Sequence, residues 1–434
     1  MNLKPTKPLS GFIELLPAQQ RWFDECARRM QEVLKTAGFA RLDLPAVERF
    51  EVLTDKDDFD DIATEMYLFQ KGDTKMGLRY DGTVGLARYV AGHLSDLAFP
   101  FRTYQFAKNY RAERPQKGRY REFYQIDLDI LGIETLSTNY DVEIVATMGK
   151  TLDSIREYIG DTFVRVGSRP FWNAAFEYFG IEGEDAQRAA LVLVDKREKM
   201  EPEEFKAALA GMLGEKVAIE IITVFSDGYK ALLNKNKALD AAINELEAFY
   251  ERVTALGVDA VVDLSIVRGH GYYTGIVFEF YFKGKDGVVT HLGGGGRYEN
   301  LVGKFSKTKI IGVGAAFGPS RILVPLLEDN KIDLLPFESN IDAAVLVMGQ
   351  AQTAYAMSAL NALRDANIVA VPYLDTDKKF KNQMEFADKI KSRFSIIIGE
   401  DEVKEQAVTI KNMTSGEQSK MTVKEAIKAI QSNV

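Results

Sequence analysis

Residues 110–132, YRAERPQKGRYREFYQIDLDILG, join a cationic loop to a run in which polar residues recur at every second position. Side chains two residues apart lie on the same face of a β-strand, so Phe123, Gln125, Asp127 and Asp129 are expected on one face. Tyr124 and the aliphatic residues after it would occupy the other face, in the core. The polar face therefore offers a row of acceptors that suits a cationic small molecule.

The loop before this strand carries its cations close together: Arg111, Arg114, Lys117, Arg119 and Arg121. Arginine grips phosphate oxygens through two parallel, charge-assisted hydrogen bonds. The segment as a whole predicts a site that holds a phosphate beside a cationic ligand. A solvent-exposed hairpin with charges of both signs is an equally good interpretation of this segment alone.

Two further segments have residues suited to a ligand. In LRYDGT (78–83), Asp81 and Thr83 are expected on one side of an extended segment, and Gly82 allows a close approach, although a polar turn has the same composition. In SIVRGHGYYTGIVFEF (265–280), glycines interrupt an apolar strand and leave Arg268, Tyr272 and Tyr273 at the break. Glycines inside a strand often mark a bulge or a closely approaching ligand.

Two more segments are rich in small residues. GGGGRYENLV (293–302) places four glycines before Arg297, which favours either an anion held by backbone N–H groups or tight chain packing. GVGAAFGPSRIL (312–323) leads into a predicted helix with Arg321 in its first turns. A helix N-terminus with an arginine favours phosphate, although a single arginine there is usually a surface residue.

Composition limits the classes of protein that fit. The chain has 434 residues and a net charge of -8, which argues against nonspecific coating of nucleic acid. Cys26 is the only cysteine, so an intrachain disulfide and a cysteine zinc site are excluded and a reducing cytoplasm is expected. The three histidines lack metal-ligand spacing, and neither a signal sequence nor a membrane span is expected.

The positioning elements fall into separate regions. Around residues 330–340 the pattern breaks, and an α/β domain is predicted beyond it, with strands at 342–348 and 394–398 and helices at 351–366 and 379–393. Thr422 and Glu425 form a capping box that opens a last helix. Residues 170–258 have helical patterns, such as 237–256, and are predicted to be an inserted helical domain.

Taken together, these residues resemble the histidyl-tRNA synthetases, a branch of the class II aminoacyl-tRNA synthetases. Residues 38–48, 110–132 and 312–323 resemble the three class II motifs, with Pro45 near an expected dimer contact. VRGHGYYTG (267–275) and GGGGRYENLV are similar to the signatures that separate histidine enzymes from other class II members. The tail, with FKNQMEFADK and IIIGEDE, resembles the family's anticodon-binding domain.

The resemblance implies a fold and a domain plan. The fold is α/β (α+β), with a class II antiparallel sheet core flanked by helices, a helical insertion and a C-terminal α/β anticodon-binding domain. The expected boundaries are 1–169 with 259–328 for the catalytic core, 170–258 for the insertion and 340–434 for the C-terminal domain. A cytoplasmic homodimer is also implied.

The implied reaction has two steps. Histidine and ATP give histidyl-adenylate and pyrophosphate, and the histidyl group then passes to the terminal ribose of the tRNA for histidine. By this resemblance Arg111 holds the α-phosphate, Glu113 reads the adenine amino group and Phe123 stacks on the base. Arg119 and Arg321 bind the phosphate tail. Magnesium is expected to arrive with ATP, bound mainly through its phosphates.

The resemblance also assigns the histidine subsite. Arg268 is expected between the histidine carboxylate and the α-phosphate, where it opposes growing negative charge. The other histidine-binding residues would be Asp81, Thr83, Gln125, Asp129, Tyr272 and Tyr273. Arg114 and Gln116 match positions that the family uses near the tRNA acceptor end.

Some positions depart from the family pattern. His270 and Gly271 replace a more usual Leu-Asp pair, and Pro319 and Ser320 stand before Arg321 where an acidic residue is often found. The alternative function is that of a catalytically silent relative, the histidine-sensing regulatory subunit of ATP phosphoribosyltransferase. A synthetase for another amino acid and a generic RNA-binding protein fit less well.

Overall fold

A computed structural model of the chain describes five stretches of residues: 4–54, 65–267, 273–284, 289–299 and 302–432. Arg268 and Tyr272, which the sequence assigns to the site, lie outside these stretches, as do His270 and Gly271. Two compact units are present. The first takes in Met1–Glu14 and Asp24–Ile332, and the second takes in Leu15–Phe23 and Asp333–Val434.

The strands are numbered in chain order. They are β1 (Ala40–Leu42), β2 (Val47–Arg49), β3 (Leu68–Lys71), β4 (Thr74–Leu78), β5 (Phe101–Tyr110), β6 (Glu122–Ile133), β7 (Thr162–Ser168), β8 (Ala260–Val262), β9 (Tyr273–Lys283), β10 (Val289–Tyr298), β11 (Ile310–Phe317), β12 (Ala343–Val347), β13 (Ala370–Tyr373), β14 (Phe394–Ile398), β15 (Val408–Asn412) and β16 (Gln418–Met421).

The α-helices are numbered in the same way. They are α1 (Pro17–Thr36), α2 (Phe50–Leu53), α3 (Thr83–Gly92), α4 (Asn139–Asp153), α5 (Arg156–Ile159), α6 (Arg169–Phe179), α7 (Glu184–Lys196), α8 (Pro202–Leu213), α9 (Glu215–Asp227), α10 (Lys237–Ala255), α11 (Pro319–Glu328), α12 (Thr353–Asp365), α13 (Phe380–Lys389), α14 (Glu400–Glu405) and α15 (Val423–Gln431).

The first unit is built on a large sheet. In the described residues its strands lie in the order β1-β5-β6-β11-β10-β9-β7-β8. Adjacent strands are antiparallel throughout the run β5-β6-β11-β10-β9-β7, whereas the edge strands β1 and β8 pair in parallel with β5 and β7. Helices α4, α6 and α11 pack against this sheet. The predicted antiparallel core with flanking helices is therefore confirmed, with parallel strands added at both edges.

The predicted helical region connects two neighbouring parallel strands. Strands β7 and β8 pair in parallel, with Val164 opposite Ala260, and parallel neighbours require a long crossover connection. Helices α6 to α10 occupy that connection. Local signals mark the starts of two of these helices, because the Ser168 hydroxyl caps the N-terminus of α6 and the Asn236 side chain caps that of α10. The boundaries 1–169, 170–258 and 259–328 stay predictions.

The second unit carries its own sheet, in the order β13-β12-β14-β15-β16 among the described residues. The two strands predicted for this region correspond to β12 and β14, and the two internal helices correspond to α12 and α13. The capping box is confirmed, since the Thr422 hydroxyl accepts from the Glu425 N–H at 3.3 Å while the Glu425 carboxylate accepts from the Thr422 N–H at 2.9 Å. The boundary at residue 340 stays a prediction.

Arg297 follows the four glycines and is a structural residue. Its guanidinium is buried, donates to both oxygens of Asp141 on α4, and also donates to the carbonyl of Leu136 at 3.0 Å. Gly293 and Gly295 leave no room for a Cβ, which would overlap the carbonyl oxygens of Ala316 and Gly314 on β11. Of the two interpretations of the glycine run, tight packing is the one that the structure supports.

Breaking this buried ion pair should cost stability. Replacing Arg297 with Met leaves the Asp141 carboxylate buried without its partner, and the free energy of unfolding should fall by about 3–5 kcal/mol. The chain has two tryptophans, Trp172 in the first unit and Trp22 in the second. In a Trp22→Phe background, urea denaturation followed by tryptophan fluorescence therefore measures the unfolding of the first unit.

Two further variants serve as controls for that measurement. Arg156→Met removes a side chain that is 60% exposed and should cost less than about 1 kcal/mol. The double variant Arg297→Met with Asp141→Leu should recover part of the loss, because no unpaired charge stays buried. Equal losses for Arg297→Met and Arg156→Met would contradict a structural role for Arg297.

Candidate active site

A cavity opens on one face of the large sheet, over β6, β9, β10 and β11. The strand alternation places Gln125, Asp127 and Asp129 in its wall, while Ile126 and Leu128 point into the core and are fully buried. Most residues predicted for the site also line it: Asp81, Thr83, Arg111, Glu113, Arg119, Phe123, Tyr273 and Arg321. The structure therefore brings together segments that are far apart in sequence.

The floor of the cavity is made of small residues. Gly294, Gly314 and Ala316 line it, and Gly314 lies directly opposite Asp129 in the register of β11 with β6. A Cβ on Gly314 would overlap the Asp129 carboxylate. Glycine at this position therefore lets the buried carboxylate of Asp129 lie flat against the neighbouring strand.

One end of the cavity is acidic. Asp127 and Asp129 are 3% and 4% exposed, and each carboxylate accepts one hydrogen bond from a neighbouring side chain. Gln125 Nε2 donates to Asp127 Oδ1 at 2.5 Å, and the Tyr298 hydroxyl donates to Asp129 Oδ1 at 2.8 Å. These donors fix the two carboxylates and leave one oxygen of each outside those bonds.

A turn before α3 adds a third acidic residue. Asp81 Oδ1 accepts from the backbone N–H groups of Thr83 at 3.0 Å and Val84 at 3.3 Å, at the start of α3. The expectation of an extended segment through Thr83 is wrong, because α3 begins at that residue. The Gln105 side chain on β5 holds the turn in place, because its Nε2 donates to the carbonyl of Gly82 at 3.0 Å.

Burial changes the protonation of this acidic end. Removal from water raises the pKa of Asp127 to about 8 and that of Asp129 to about 7. The donors Gln125 and Tyr298 oppose this rise, whereas the negative charge of Asp81 adds to it for both carboxyls. A cationic ligand would favour the charged forms, so this end is suited to an ammonium group and to polarised N–H donors.

The other end of the cavity is cationic. The Arg111 guanidinium lies 4.2 Å from the centre of the Tyr80 ring and 5.3 Å from that of Phe123, and its Nε donates to the Tyr80 carbonyl at 3.4 Å. Arg119 forms an ion pair with Glu113, with Nη2 at 2.8 Å from Oε1. Aromatic faces and one carboxylate thus hold these cations in place while they face the cavity.

Arg321 completes the cationic end from the first turn of α11. Pro319 stands at the first position of that helix, and the buried Ser320 hydroxyl accepts from the Tyr124 N–H at 2.9 Å, which ties the helix start to β6. Ser320 therefore has a structural role. Burial lowers the pKa of Arg321, and the positive charges of Arg119 and Arg111 lower it further. An anion bound among these guanidinium groups would relieve their mutual repulsion.

Two predicted residues lie outside this cavity. Arg114 and Gln116 are exposed in the loop before β6, where Gln116 pairs with Arg119 through their backbones. Neither residue contributes to the lining that the described residues form. Their predicted place near a tRNA end is compatible with an exposed position beside the cavity and stays a prediction.

The structure adds residues that sequence reasoning did not select. Asp127, Tyr298 and His291 line the cavity. Alternation along β6 already placed Asp127 on the same face as Asp129, and Tyr298 lies inside the glycine-rich signature. The sequence therefore contained a pattern that could have assigned both residues to the site. It contained none for His291, whose ring packs edge-on against Tyr281, with centroids 5.3 Å apart.

The arrangement defines a class of protein. An antiparallel sheet with flanking helices carries an arginine-bearing hairpin loop, and the last strand leads into a helix with an arginine in its first turn. That is the architecture of the class II aminoacyl-tRNA synthetases. Residues 11–322 match the family described as histidyl-tRNA synthetase, and residues 342–433 match the one described as anticodon binding domain.

Individual relatives agree. A histidine–tRNA ligase of Finegoldia magna is 35% identical over 97% of this chain and 98% of its own length, and that of Clostridium tetani is 36% identical over 97% of both. The solved histidyl-tRNA synthetase of Nostoc sp. PCC 7120 is 29% identical and covers both chains fully, with a TM-score of 0.79. This chain belongs to the histidyl-tRNA synthetase family.

One solved structure bears on the alternative function. A Bacillus halodurans protein described as an ATP phosphoribosyltransferase regulatory subunit/histidyl-tRNA synthetase has a TM-score of 0.69 and covers 86% of this chain. At 20% identity this likeness shows the fold alone. It therefore does not favour the regulatory function over the synthetase function.

Stability should depend on pH through the two buried carboxyls. Their ordinary pKa is 3.8, and burial raises that of Asp127 to about 8. Between about pH 4 and pH 8 these two carboxyls bind more protons in the folded protein than in the unfolded chain, so their contribution to the free energy of unfolding falls as pH rises. The melting temperature of the ligand-free protein should thus be lower at about pH 8.5 than at about pH 5.5.

Asp127→Asn removes one of these groups and should flatten that pH dependence. Asp161→Asn, at a side chain that is 79% exposed, is the matched control and should leave it as in the unmodified protein. The measurement is the melting temperature of the unmodified protein and of the two variants between about pH 5.5 and pH 8.5. A slope that Asp127→Asn leaves unchanged would contradict a raised pKa at Asp127.

Proposed function

We propose that this protein attaches histidine to the tRNA for histidine in two steps, as an ATP-dependent aminoacyl-tRNA synthetase. Histidine and ATP first give histidyl-adenylate and pyrophosphate, and the histidyl group is then transferred to the 3′-terminal ribose of the tRNA. The observation that carries the proposal is one cavity with carboxylates at one end and arginines at the other, on the class II sheet.

ATP occupies the cationic end in this proposal. Arg111, fixed between Tyr80 and Phe123, contacts the α-phosphate, and the Phe123 ring stacks on the adenine. Arg119 and Arg321 bind the phosphate tail. The Glu113 carboxylate, which Arg119 holds, accepts from the adenine amino group.

Magnesium enters with ATP, and the phosphates supply most of its ligands. Among the described residues no group of three histidine, cysteine or acidic side chains is placed to hold a metal. The three arginines of the cationic end are suited to the phosphate oxygens themselves. Charge on the phosphates is therefore offset from the protein side by guanidinium groups.

Histidine occupies the acidic end. Its α-ammonium group is bound by Asp81, Thr83 and Gln125, and its imidazole by Asp129 together with Tyr273. Tyr272 is a further histidine-binding residue. Tyr298 already donates to one oxygen of Asp129, so the other oxygen accepts an imidazole N–H. A rival amino acid without that N–H leaves a buried acceptor unpaired, which gives strong discrimination.

Catalysis rests on positioning and electrostatics. The histidine carboxylate attacks the α-phosphorus, and Arg268 with Arg111 opposes the negative charge that grows there. Such chemistry needs no nucleophilic side chain from the protein. Removing one of these contacts should lower the rate of adenylate formation by about 10²–10³-fold.

The remaining parts of the proposal concern partners. Arg114 and Gln116 lie in an exposed loop, as a contact with the tRNA acceptor end requires. Residues 342–433 bind the anticodon, and two copies of the chain form a cytoplasmic homodimer. Among the described residues, no helix is both long and apolar enough to cross a membrane.

The first test is histidine-dependent exchange of labelled pyrophosphate into ATP, run against a panel of other amino acids and followed by tRNA charging. Exchange with histidine alone, together with charging, is the expected result. Histidine binding without exchange would move the chain to the regulatory function. Exchange with a different amino acid would contradict the proposed imidazole subsite.

Asp129→Asn tests that subsite. It keeps the side-chain volume but replaces a carboxylate acceptor, so the Kd for histidine should rise about 10–100-fold, which corresponds to about 1.5–3 kcal/mol for a hydrogen bond to a charged group. The Kd for ATP should stay within a factor of about two. Calorimetry measures both, with Asp161→Asn as the control; equal losses for the two ligands would reject the assignment.

Arg268→Ala tests the catalytic assignment. The rate of adenylate formation at saturating ligands should fall by about 10²–10³-fold, because a fixed cation next to the reacting phosphate is lost. Rapid quench of a single turnover measures that rate. A folded variant with an unchanged rate would contradict a catalytic role for Arg268.

A further inference from the structure

A short segment near the N-terminus contacts the loop that carries the ATP residues. Residues 10–12 are called the strap here, and residues 111–121 the ATP loop. The Gly11 carbonyl accepts from two successive backbone N–H groups, that of Arg121 at the end of the ATP loop at 2.8 Å and that of Glu122 at the start of β6 at 3.3 Å. The strap therefore satisfies backbone donors where the loop turns into β6.

Arg121 is the residue through which the strap and the loop are joined. Its backbone N–H donates to Gly11 and its carbonyl accepts from the Arg111 N–H at 2.9 Å. Its guanidinium donates to the Glu113 carbonyl at 3.0 Å and to the Ser10 carbonyl at 3.5 Å. Arg121 is not part of the cavity lining formed by the described residues, so its charge is used within the loop.

Gly11 is held in a conformation and a space that suit glycine. Its φ of +85° lies in the region that other residues rarely adopt. A Cβ at this position would lie 2.9 Å from Arg121 Cγ and 3.0 Å from Pro115 Cβ. The strap thus packs closely against Pro115 and Arg121 of the loop, and a methyl group at Gly11 would push the strap away from these two residues.

The loop residues that face ATP depend on these contacts. Arg111, Glu113 and Arg119 are all carried by backbone that Arg121 touches or neighbours. Catalysis by positioning is sensitive to small shifts, since a displacement of about 1 Å can cost about 10²-fold in rate. Movement of Arg121 would therefore be transmitted to the phosphate and adenine contacts and not to the acidic end of the cavity.

We infer that Gly11 and Arg121 are positioning residues that set the ATP loop, through the contact of the strap with the loop. The inference rests on the proposed function, in which that loop binds ATP. Neither residue touches the nucleotide. Their effect is on where Arg111, Glu113 and Arg119 stand when ATP binds.

The test uses two glycines with matched backbones. Gly11→Ala and Gly38→Ala both place alanine at a positive φ, +85° and +81°, but the added methyl group at Gly38 meets nothing within 4 Å. Gly11→Ala should raise the Kd for ATP on the order of tenfold and leave the Kd for histidine unchanged, as expected for a shift confined to the loop. Gly38→Ala should change neither Kd.

Arg121→Met is the second variant and covers the case in which Gly11→Ala does not fold. It should raise the Kd for ATP by a similar factor, and the double variant with Gly11→Ala should be no worse than the poorer single variant, because both break one unit. Arg121→Met combined with Gly38→Ala should behave like Arg121→Met alone.

Calorimetric Kd values for ATP and histidine, with melting temperatures as a check on folding, separate the outcomes. Equal weakening of both ligands, or fully additive effects of Gly11→Ala and Arg121→Met, would overturn the inference. Since ATP binding is measured directly, absence of pyrophosphate exchange in the unmodified protein would count against the proposed function alone.

Discussion

The burial of two carboxylates side by side on β6 is the constraint on which the site depends. Asp127 and Asp129 project from one strand into a cavity wall, and removal from water raises the pKa of both. The fold tolerates them because Gln125 and Tyr298 donate to them and because Gly314 leaves room beside Asp129. A cation bound at this end would favour the charged forms of both carboxyls, so ligand binding and protonation would be linked.

The opposite end of the cavity has the complementary arrangement. Three guanidinium groups face the same space, and they are held by different means: Arg111 by aromatic rings, Arg119 by Glu113 and Arg321 by the start of α11. Charge complementarity favours one orientation in this cavity for a ligand that carries both signs of charge. The cavity thus has two ends of opposite charge, as the proposed order of amino acid and nucleotide along it requires.

Arginines in this chain have different roles that depend on their surroundings. Arg297 ends in a buried ion pair with Asp141, Arg121 holds the backbone of its own loop, and Arg111 faces the cavity. All three belong to segments that the sequence marks as ligand-like. Residue type and local spacing cannot separate these roles, because Arg297 and Arg111 contact residues that are distant in sequence, Asp141 and Tyr80.

The sequence by itself determined the elements and the chemistry. Alternation along residues 122–133 predicted which face of β6 is polar, the capping box predicted the start of α15, and the motifs indicated the family. Tertiary structure decided the rest. Pairing of β6 with β11 and of β11 with β10 brings Asp129, Gly314 and the glycine run together across long sequence separations. Packing also showed that Arg297 is structural, because its partner Asp141 lies in a segment far away in the sequence that no local pattern records.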